Sequence, residues 1–161
     1  VDIPPTYPNG CHIAEVEIDP DTGTVTAINY TAVDDSGRLL DHTLVDGQLH
    51  GGIAQGLGQA LMELGYYDPE NGQLVTGSFQ DYALPRAEDL PRIHIGSHAV
   101  PATTNPLGVK GVGEAGTTAS LAALMNAVAD AIPGNAGASL DMPATCEKVW
   151  VACQSARAAR R

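Results

Sequence analysis

The sequence is poor in aromatic residues and in positive charge, and each shortage narrows what the chain can be. Only 4% of the 161 residues are aromatic whereas 43% are hydrophobic, so the core must be built from aliphatic side chains and close backbone contacts. Eight Lys and Arg stand against 19 Asp and Glu, which gives a formal net charge of −11. This charge repels phosphate backbones and anionic lipid surfaces, so neither nucleic acid nor an acidic membrane is an expected partner.

Long apolar runs and paired cysteines are missing as well. No stretch approaches the ~20 apolar residues that a membrane span requires, so we expect no membrane-spanning segment. Cys11, Cys146 and Cys153 are an odd set without C-x-x-C spacing, which indicates neither a disulfide framework nor a zinc site and fits a reducing, cytoplasmic location. The sequence begins at Val1 without Met or a secretory signal, which predicts a processed chain or a fragment.

The hydrophobic pattern predicts a single α+β domain over residues 1–161. Apolar residues alternate along four segments that we interpret as strands, at residues 11–20, 24–33, 73–77 and 92–100. The first two form a hairpin closed by Asp34 to Gly37. Helical periodicity marks three further segments, at residues 41–64, up to about residue 132, and from Thr145 onward, where Val149, Ala152, Cys153 and Ala156 form the buried side. The expected architecture is a small, mostly antiparallel sheet covered by about three helices.

The first predicted helix is unusually rich in glycine. Four apolar residues recur every four positions and share one face, yet four glycines lie inside the same helix: Leu49, Ile53, Leu57 and Leu61, with Gly51, Gly52, Gly56 and Gly58. Each interior glycine costs about 0.5–1 kcal/mol relative to alanine. The glycines alone favour tight helix packing through Gly52 and Gly56; the alternative is that a ligand approaches the backbone closely.

The loop at residues 105–118 (NPLGVKGVGEAGTT) is the segment best suited to chemistry. It leads into a helix N-terminus, where unpaired N–H groups and the helix dipole favour an anion. Glu114 lies among glycines and apolar residues, an environment in which a carboxylate can act as a general base near neutral pH. Lys110 supplies positive charge nearby. The alternative is a structural turn with a helix-capping glutamate.

Other familiar sites are not supported. Residues 111–116 match G-x-G-x-x-G, but no strand precedes them and Asp130 falls within a helix, so a dinucleotide site is rejected. No Gly-Lys-Ser/Thr occurs, which excludes a Walker A loop. His94 and His98 lie roughly 13 Å apart on a predicted strand, too far to share a metal ion. His50, near Gln48, could line a site, although a structural role is favoured.

Four segments together resemble a known family, the molybdenum-binding large subunits of xanthine dehydrogenases, aldehyde oxidases and carbon monoxide dehydrogenases. They are residues 46–60 (DGQLHGGIAQGLGQA), 76–86 (TGSFQDYALPR), 105–118 and 141–145 (DMPAT). These segments occur in the family's order and span most of the chain. The resemblance implies that the chain is the C-terminal part of such a subunit and belongs to a larger molybdopterin-binding domain.

The resemblance also implies roles for particular residues. Glu114 would lie beside molybdenum as the general base, and the expected cofactor contacts are Gln48, Lys110, Gly111, Val112 and Gly113. The metal is held through molybdopterin, usually the cytosine dinucleotide form in bacteria, so no protein ligand to the metal is expected. The reaction would be oxidative hydroxylation of an aldehyde, an N-heterocycle or carbon monoxide, with water as the oxygen source. Electrons would leave through two [2Fe–2S] clusters to FAD on partner chains or domains.

The chain is several times shorter than the family's large subunit, and none of its cysteines matches the copper-binding cysteine of carbon monoxide dehydrogenases. We therefore expect the chain alone to hold neither molybdenum nor cofactor. It would expose an apolar surface that the remainder of the subunit covers, which permits a homodimer of the fragment. Two other hypotheses stay open: a non-catalytic binding or scaffold module with the same fold, and a small nucleotide-dependent oxidoreductase, which the context of the glycine loop disfavours.

Overall fold

A computed structural model describes residues 5–159, so the predicted domain limits at 1 and 161, and Val1 itself, lie outside the described residues. Three strands and three α-helices occur in this part of the chain and confirm the α+β class. The elements are β1 (Asn9–Ile18), β2 (Val25–Asp35), α1 (His42–Leu61), β3 (Arg92–Ser97), α2 (Ala115–Ala131) and α3 (Cys146–Ala158).

β1 and β2 form the predicted antiparallel hairpin, with Cys11 opposite Val33 and Ile18 opposite Val25. Gly23, at φ 75°, takes the left-handed conformation that the tight turn requires. β2 continues to Asp35, so Asp34 and Asp35 end a strand and are buried. The prediction that these two residues close the hairpin as a turn was therefore wrong.

β3 pairs with β2 in parallel, which makes the sheet mixed, in the order β1-β2-β3. Parallel neighbours require a crossover connection, and α1 lies within the segment that joins these two strands. The short strand predicted at 73–77 is not formed: Leu74 makes a single bridge with Tyr67. That segment has the composition of a strand but no sheet neighbour, and a strand is stable only when it is paired.

α1 begins where Asp41 accepts hydrogen bonds from the N–H groups of Thr43 at 2.8 Å and Leu44 at 3.2 Å. Its apolar face is buried. Gly52 and Gly56 lie on this face against α2, where a Cβ on Gly52 would be 2.8 Å from Thr117 N. The two glycines therefore permit the close approach of α2, which confirms the prediction of tight helix packing through them.

The core consists of two apolar clusters that share α2. One lies between the sheet, α1 and α2, and includes Tyr30, Ile53 and Leu124. The other includes residues of α2 and α3, and all four apolar positions predicted for α3 are buried: Val149, Ala152, Cys153 and Ala156. Within residues 5–159, no helix combines the length and apolar character needed to cross a membrane.

Candidate functional site

Glu114 stands at the N-cap position of α2, but its side chain makes no capping hydrogen bond. Its backbone carbonyl starts the helix by accepting from Thr118 N at 3.0 Å. The carboxylate is exposed, although a glutamate used as a cap would be bonded to the first backbone N–H groups. The helix-capping alternative is therefore not supported by the geometry of this side chain.

The carboxylate lines a cleft with a volume of about 670 Å³. Gly111 and Gly113 line the same cleft as Glu114, together with the chain before and at the start of β1. Asp34, at the end of β2, also lines the cleft. A carboxylate in such a cleft can reach a bound molecule while the rest of its helix stays packed.

Several glycines of α1 and of the loop before Glu114 have open space above them. A Cβ added to Gly47, Gly51 or Gly111 would meet no atom within 4 Å, and one on Gly113 would meet only Gln48 Oε1, at 3.8 Å. Gln48 itself is exposed on α1. The structure thus brings Gln48, from α1, next to the loop that ends at Glu114, and leaves the backbone there accessible to a large molecule.

Lys110 does not present a free charge. Its Nζ lies 2.6 Å from Asp35 Oδ2, and both side chains are largely buried. Lys110 and Val112 line a second, smaller cleft of about 190 Å³, together with Ser36, whereas Gly111 and Gly113 line the larger one. Successive residues of the loop therefore face opposite sides, and the positive charge expected near Glu114 is compensated by a carboxylate.

A buried polar network lies beside the larger cleft. His12 contacts the hydroxyl of Tyr30 through Nδ1 at 2.9 Å and Oδ2 of Asp34 through Nε2 at 3.0 Å. With Nε2 protonated, the ring donates to the carboxylate and accepts from the tyrosine. Burial, and to a smaller extent the charge of Asp34, raise the pKa of the Tyr30 hydroxyl. The network satisfies three polar groups in an otherwise apolar layer.

The remaining histidines show no metal-binding arrangement. His50 bonds to Asp46 O, at 2.8 Å, in its own helix, which agrees with a structural role. His94 lies in β3 and His98 just after it, and both are exposed. Nowhere in the described part of the chain do three or more His, Cys, Asp or Glu side chains lie close enough together to hold a metal ion.

Sequence reasoning missed Asp34, Asp35, His12 and Tyr30. A sequence signal was present for Tyr30 and Asp34, because the period of two along β2 places them with Ala32 on the same face of the strand, which is buried. No local signal could have identified Asp35 as the partner of Lys110, since the two lie 75 residues apart.

Residues 2–91 match the family model described as the molybdopterin cofactor-binding domain. The match covers more than half of the chain and includes Gln48, but it ends before the loop that carries Glu114. It therefore identifies the family without testing the role of that glutamate.

Three relatives extend the comparison. The large subunit of nicotine 6-hydroxylase from Paenarthrobacter nicotinovorans is 40% identical over 90% of this chain and 18% of its own length. The crystal structure of a Cu,Mo-CO dehydrogenase gives a TM-score of 0.88 at 31% identity, covering 93% of this chain and 19% of that one. Quinoline 2-oxidoreductase from Pseudomonas putida 86 gives a TM-score of 0.83 at 38% identity, covering 91% and 19% respectively.

This chain thus spans about a fifth of the length of the relatives that it matches. The fold agrees with the two solved structures over more than 90% of this chain. The chain belongs to the molybdopterin cofactor-binding domain family, the family of the molybdenum hydroxylase large subunits.

Proposed function

We propose that this chain forms one wall of the active site of a molybdenum hydroxylase and that Glu114 is its catalytic general base. The observation that carries the proposal is a glutamate at a helix N-cap that leaves its capping role unused and lines a cleft. A side chain kept for capping would be turned toward the helix, whereas this carboxylate remains available to a substrate.

The residues present fit a large anionic cofactor such as molybdopterin. The open backbone at Gly47, Gly51, Gly111 and Gly113 leaves room for a bulky group, and the N-terminus of α2 favours negative charge. The exposed amide of Gln48 can donate and accept hydrogen bonds with a pterin edge. We propose that Gln48 and the backbone of Lys110, Gly111, Val112 and Gly113 make these contacts, and that the cofactor is the cytosine dinucleotide form.

When bound, the molybdenum cofactor would supply two-electron oxidation and an oxygen derived from water. A carboxylate oxygen of Glu114 would accept the proton that the reaction releases. Gln48 would orient the pterin, and the glycine backbone would bring it close to the carboxylate. Exclusion of water would come from the parts of the subunit that lie opposite Glu114, because in this chain the carboxylate is exposed.

The proposed reaction is hydroxylation of an aldehyde, an N-heterocycle or carbon monoxide. By their names, nicotine 6-hydroxylase and quinoline 2-oxidoreductase act on N-heterocycles, so that class should be assayed first. The relatives are described as large subunits or chains of larger assemblies. We propose partners that carry two [2Fe–2S] clusters and FAD and that receive the electrons.

The test is Glu114→Gln in the large subunit of the intact enzyme. Glutamine keeps the size and the hydrogen-bonding reach but cannot accept the proton, so kcat should fall by about 10²–10⁴-fold. Molybdenum content and pterin content should both stay near the wild-type level. Glu70→Gln, on an exposed turn, is the matched control and should leave all three measurements unchanged.

Two other outcomes would decide against the proposal. If Glu114→Gln lost molybdenum in proportion to its loss of activity, the glutamate would have a structural role in cofactor binding. If the intact protein bound the cofactor without turnover of any of the three substrate classes, the chain would belong to a non-catalytic binding module. The chain by itself supplies one wall only, so it should retain no stoichiometric molybdenum when purified alone.

A further inference from the structure

Asp35, the last residue of β2, collects hydrogen bonds from four parts of the chain. Its Oδ2 lies 2.6 Å from Lys110 Nζ and 3.5 Å from Asn9 Nδ2. Its Oδ1 accepts from Gly37 N at 2.8 Å and Val100 N at 2.9 Å. One buried carboxylate therefore joins the starts of two loops, the first strand, and the segment that leads to Glu114.

This carboxylate is ionised at neutral pH. Burial raises the pKa of Asp35, but the hydrogen bonds from Lys110, Val100 and Gly37 outweigh burial and hold the pKa at about 2. Lys110 is thus matched by a full negative charge at contact distance. A pair enclosed in this way fixes the position of both side chains, because separating them would leave a buried charge without a partner.

Backbone contacts continue the attachment on both sides of Lys110. Lys110 N donates to Ser36 O at 3.2 Å, and Arg38 N donates to Gly108 O at 2.8 Å. Gly37 pairs with Val109 in an isolated bridge. Residues 36–38 and 108–110 therefore lie side by side, and the second of these segments ends four residues before Glu114.

We propose that Asp35 and Lys110 are positioning residues whose ion pair fixes the glycine-rich loop and thereby places the carboxylate of Glu114. The proposal rests on the function proposed above only for the role of Glu114. A reacting group displaced by about 1 Å can lose about 100-fold in rate, so a loop released from this pair should slow turnover far more than it weakens binding. The side chain of Lys110 acts toward Asp35 and its backbone N–H toward Ser36 O, so both groups hold the loop.

The competing explanation gives Lys110 a direct electrostatic role toward an anionic cofactor. The two explanations predict different effects on cofactor binding when Asp35 is replaced. If Lys110 served the cofactor by its charge, removing Asp35 would free that charge and strengthen cofactor binding, whereas removing Lys110 would weaken it. If the pair positions the loop, either change should slow turnover in the same direction and leave cofactor content unchanged.

The experiment uses Asp35→Asn and Lys110→Met in the large subunit of the holoenzyme. Both variants should lower kcat at least 10-fold while KM and molybdenum content change less than 2-fold. Hydrogen–deuterium exchange of the peptide at residues 105–114 should be faster in both, including in the subunit prepared without cofactor. Asp21→Asn, which breaks the exposed Arg157–Asp21 pair, is the control and should change none of these measurements.

The double variant Asp35→Asn/Lys110→Met is the control for misfolding caused by an unpaired buried charge, because it removes both charges together. It should fold and still show the slow turnover and fast exchange. Unchanged exchange at residues 105–114, or tighter cofactor binding in Asp35→Asn, would overturn the proposal. Exchange in the cofactor-free subunit measures the attachment of the loop whether or not Glu114 is the base, so failure of this proposal is distinguishable from failure of the proposed function.

Discussion

Gly56 of α1 lies so close to Ser120 of α2 that a Cβ at position 56 would overlap the serine hydroxyl. Ser120 is fully buried, and its hydroxyl is held by Thr117 O at 3.1 Å, so it has little freedom to move aside. The distance between these two helices, and hence the position of Glu114 relative to Gln48, depends on the absence of a side chain at residue 56.

Replacing Gly56 by alanine should therefore destabilise the fold by about 1–3 kcal/mol, the usual cost of overpacking a buried contact. Chemical denaturation of the chain measures this change. Ser120→Gly in the same background removes the overlapping atoms and should recover part of the loss. A Gly56→Ala variant as stable as the original would show that the helices separate without cost.

Gly51 is the matched comparison, because it lies in the same helix with open space above it. In the isolated chain, Gly51→Ala should stabilise the fold by about 0.5–1 kcal/mol through helix propensity alone. In the intact subunit the same change should reduce molybdenum and pterin content, because the added methyl group enters the space proposed for the cofactor. Normal cofactor content would argue that nothing approaches this backbone.

Acid should remove one identifiable contribution to stability. The pKa of Asp35 is about 2 in the fold, below its ordinary value of 3.8, so ionisation of this carboxyl stabilises the fold above about pH 4. The contribution is lost as the pH falls from about 4 to about 2. Thermal unfolding of Asp35→Asn should show a lower Tm than the original chain at pH 6, with the gap narrowing over that range. A constant gap would contradict the assignment.

Tyr30 should stay protonated when other tyrosines ionise. Burial is the main cause that raises the pKa of its hydroxyl, and the charge of Asp34 adds to it. In a spectrophotometric titration, Tyr30→Phe should leave the reversible amplitude unchanged up to the onset of alkaline unfolding. Loss of one tyrosine's share of the amplitude in Tyr30→Phe would show that Tyr30 is open to solvent.

The isolated chain should associate through exposed apolar side chains near the smaller cleft. Leu40 and Leu44 are 72% and 68% exposed and line that cleft, and apolar surface of this kind promotes contact between copies. Leu40→Ser/Leu44→Ser should lower the sedimentation-average mass and the binding of an apolar dye, whereas Val151→Ser on α3 should not. A monomer at high concentration before any change would rule out association.

Much of the fold followed from local pattern. The hairpin and the buried side of α3 were predicted because side-chain alternation and the helical period depend on neighbours within a few residues. The strand predicted at 73–77 was wrong because the residue pattern shows that a segment favours the strand conformation and does not show whether another strand lies beside it. The parallel placement of β3 likewise depends on the path of α1, which no pattern within β3 reveals.

Some features of the candidate site could likewise be predicted from the sequence, and others could not. Glu114 and the glycines attracted attention through their composition, and the catalytic role of Glu114 stays a prediction. The engagement of Lys110 by Asp35 was not foreseen, since an isolated lysine beside a glutamate suggests a local charge. Only the fold brings the end of β2 to this loop.

The pairing of residues 35 and 110 has a consequence for the order of folding. The two residues are separated by 75 positions in the sequence, and α1 and β3 lie between them. Closing so long a segment costs chain entropy that nearby contacts must first offset. We therefore expect the loop with Glu114 to assume its final path after α1 and β3 have docked. The arrangement of this loop would then be a late product of folding, and a change that delays docking of β3 should delay it as well.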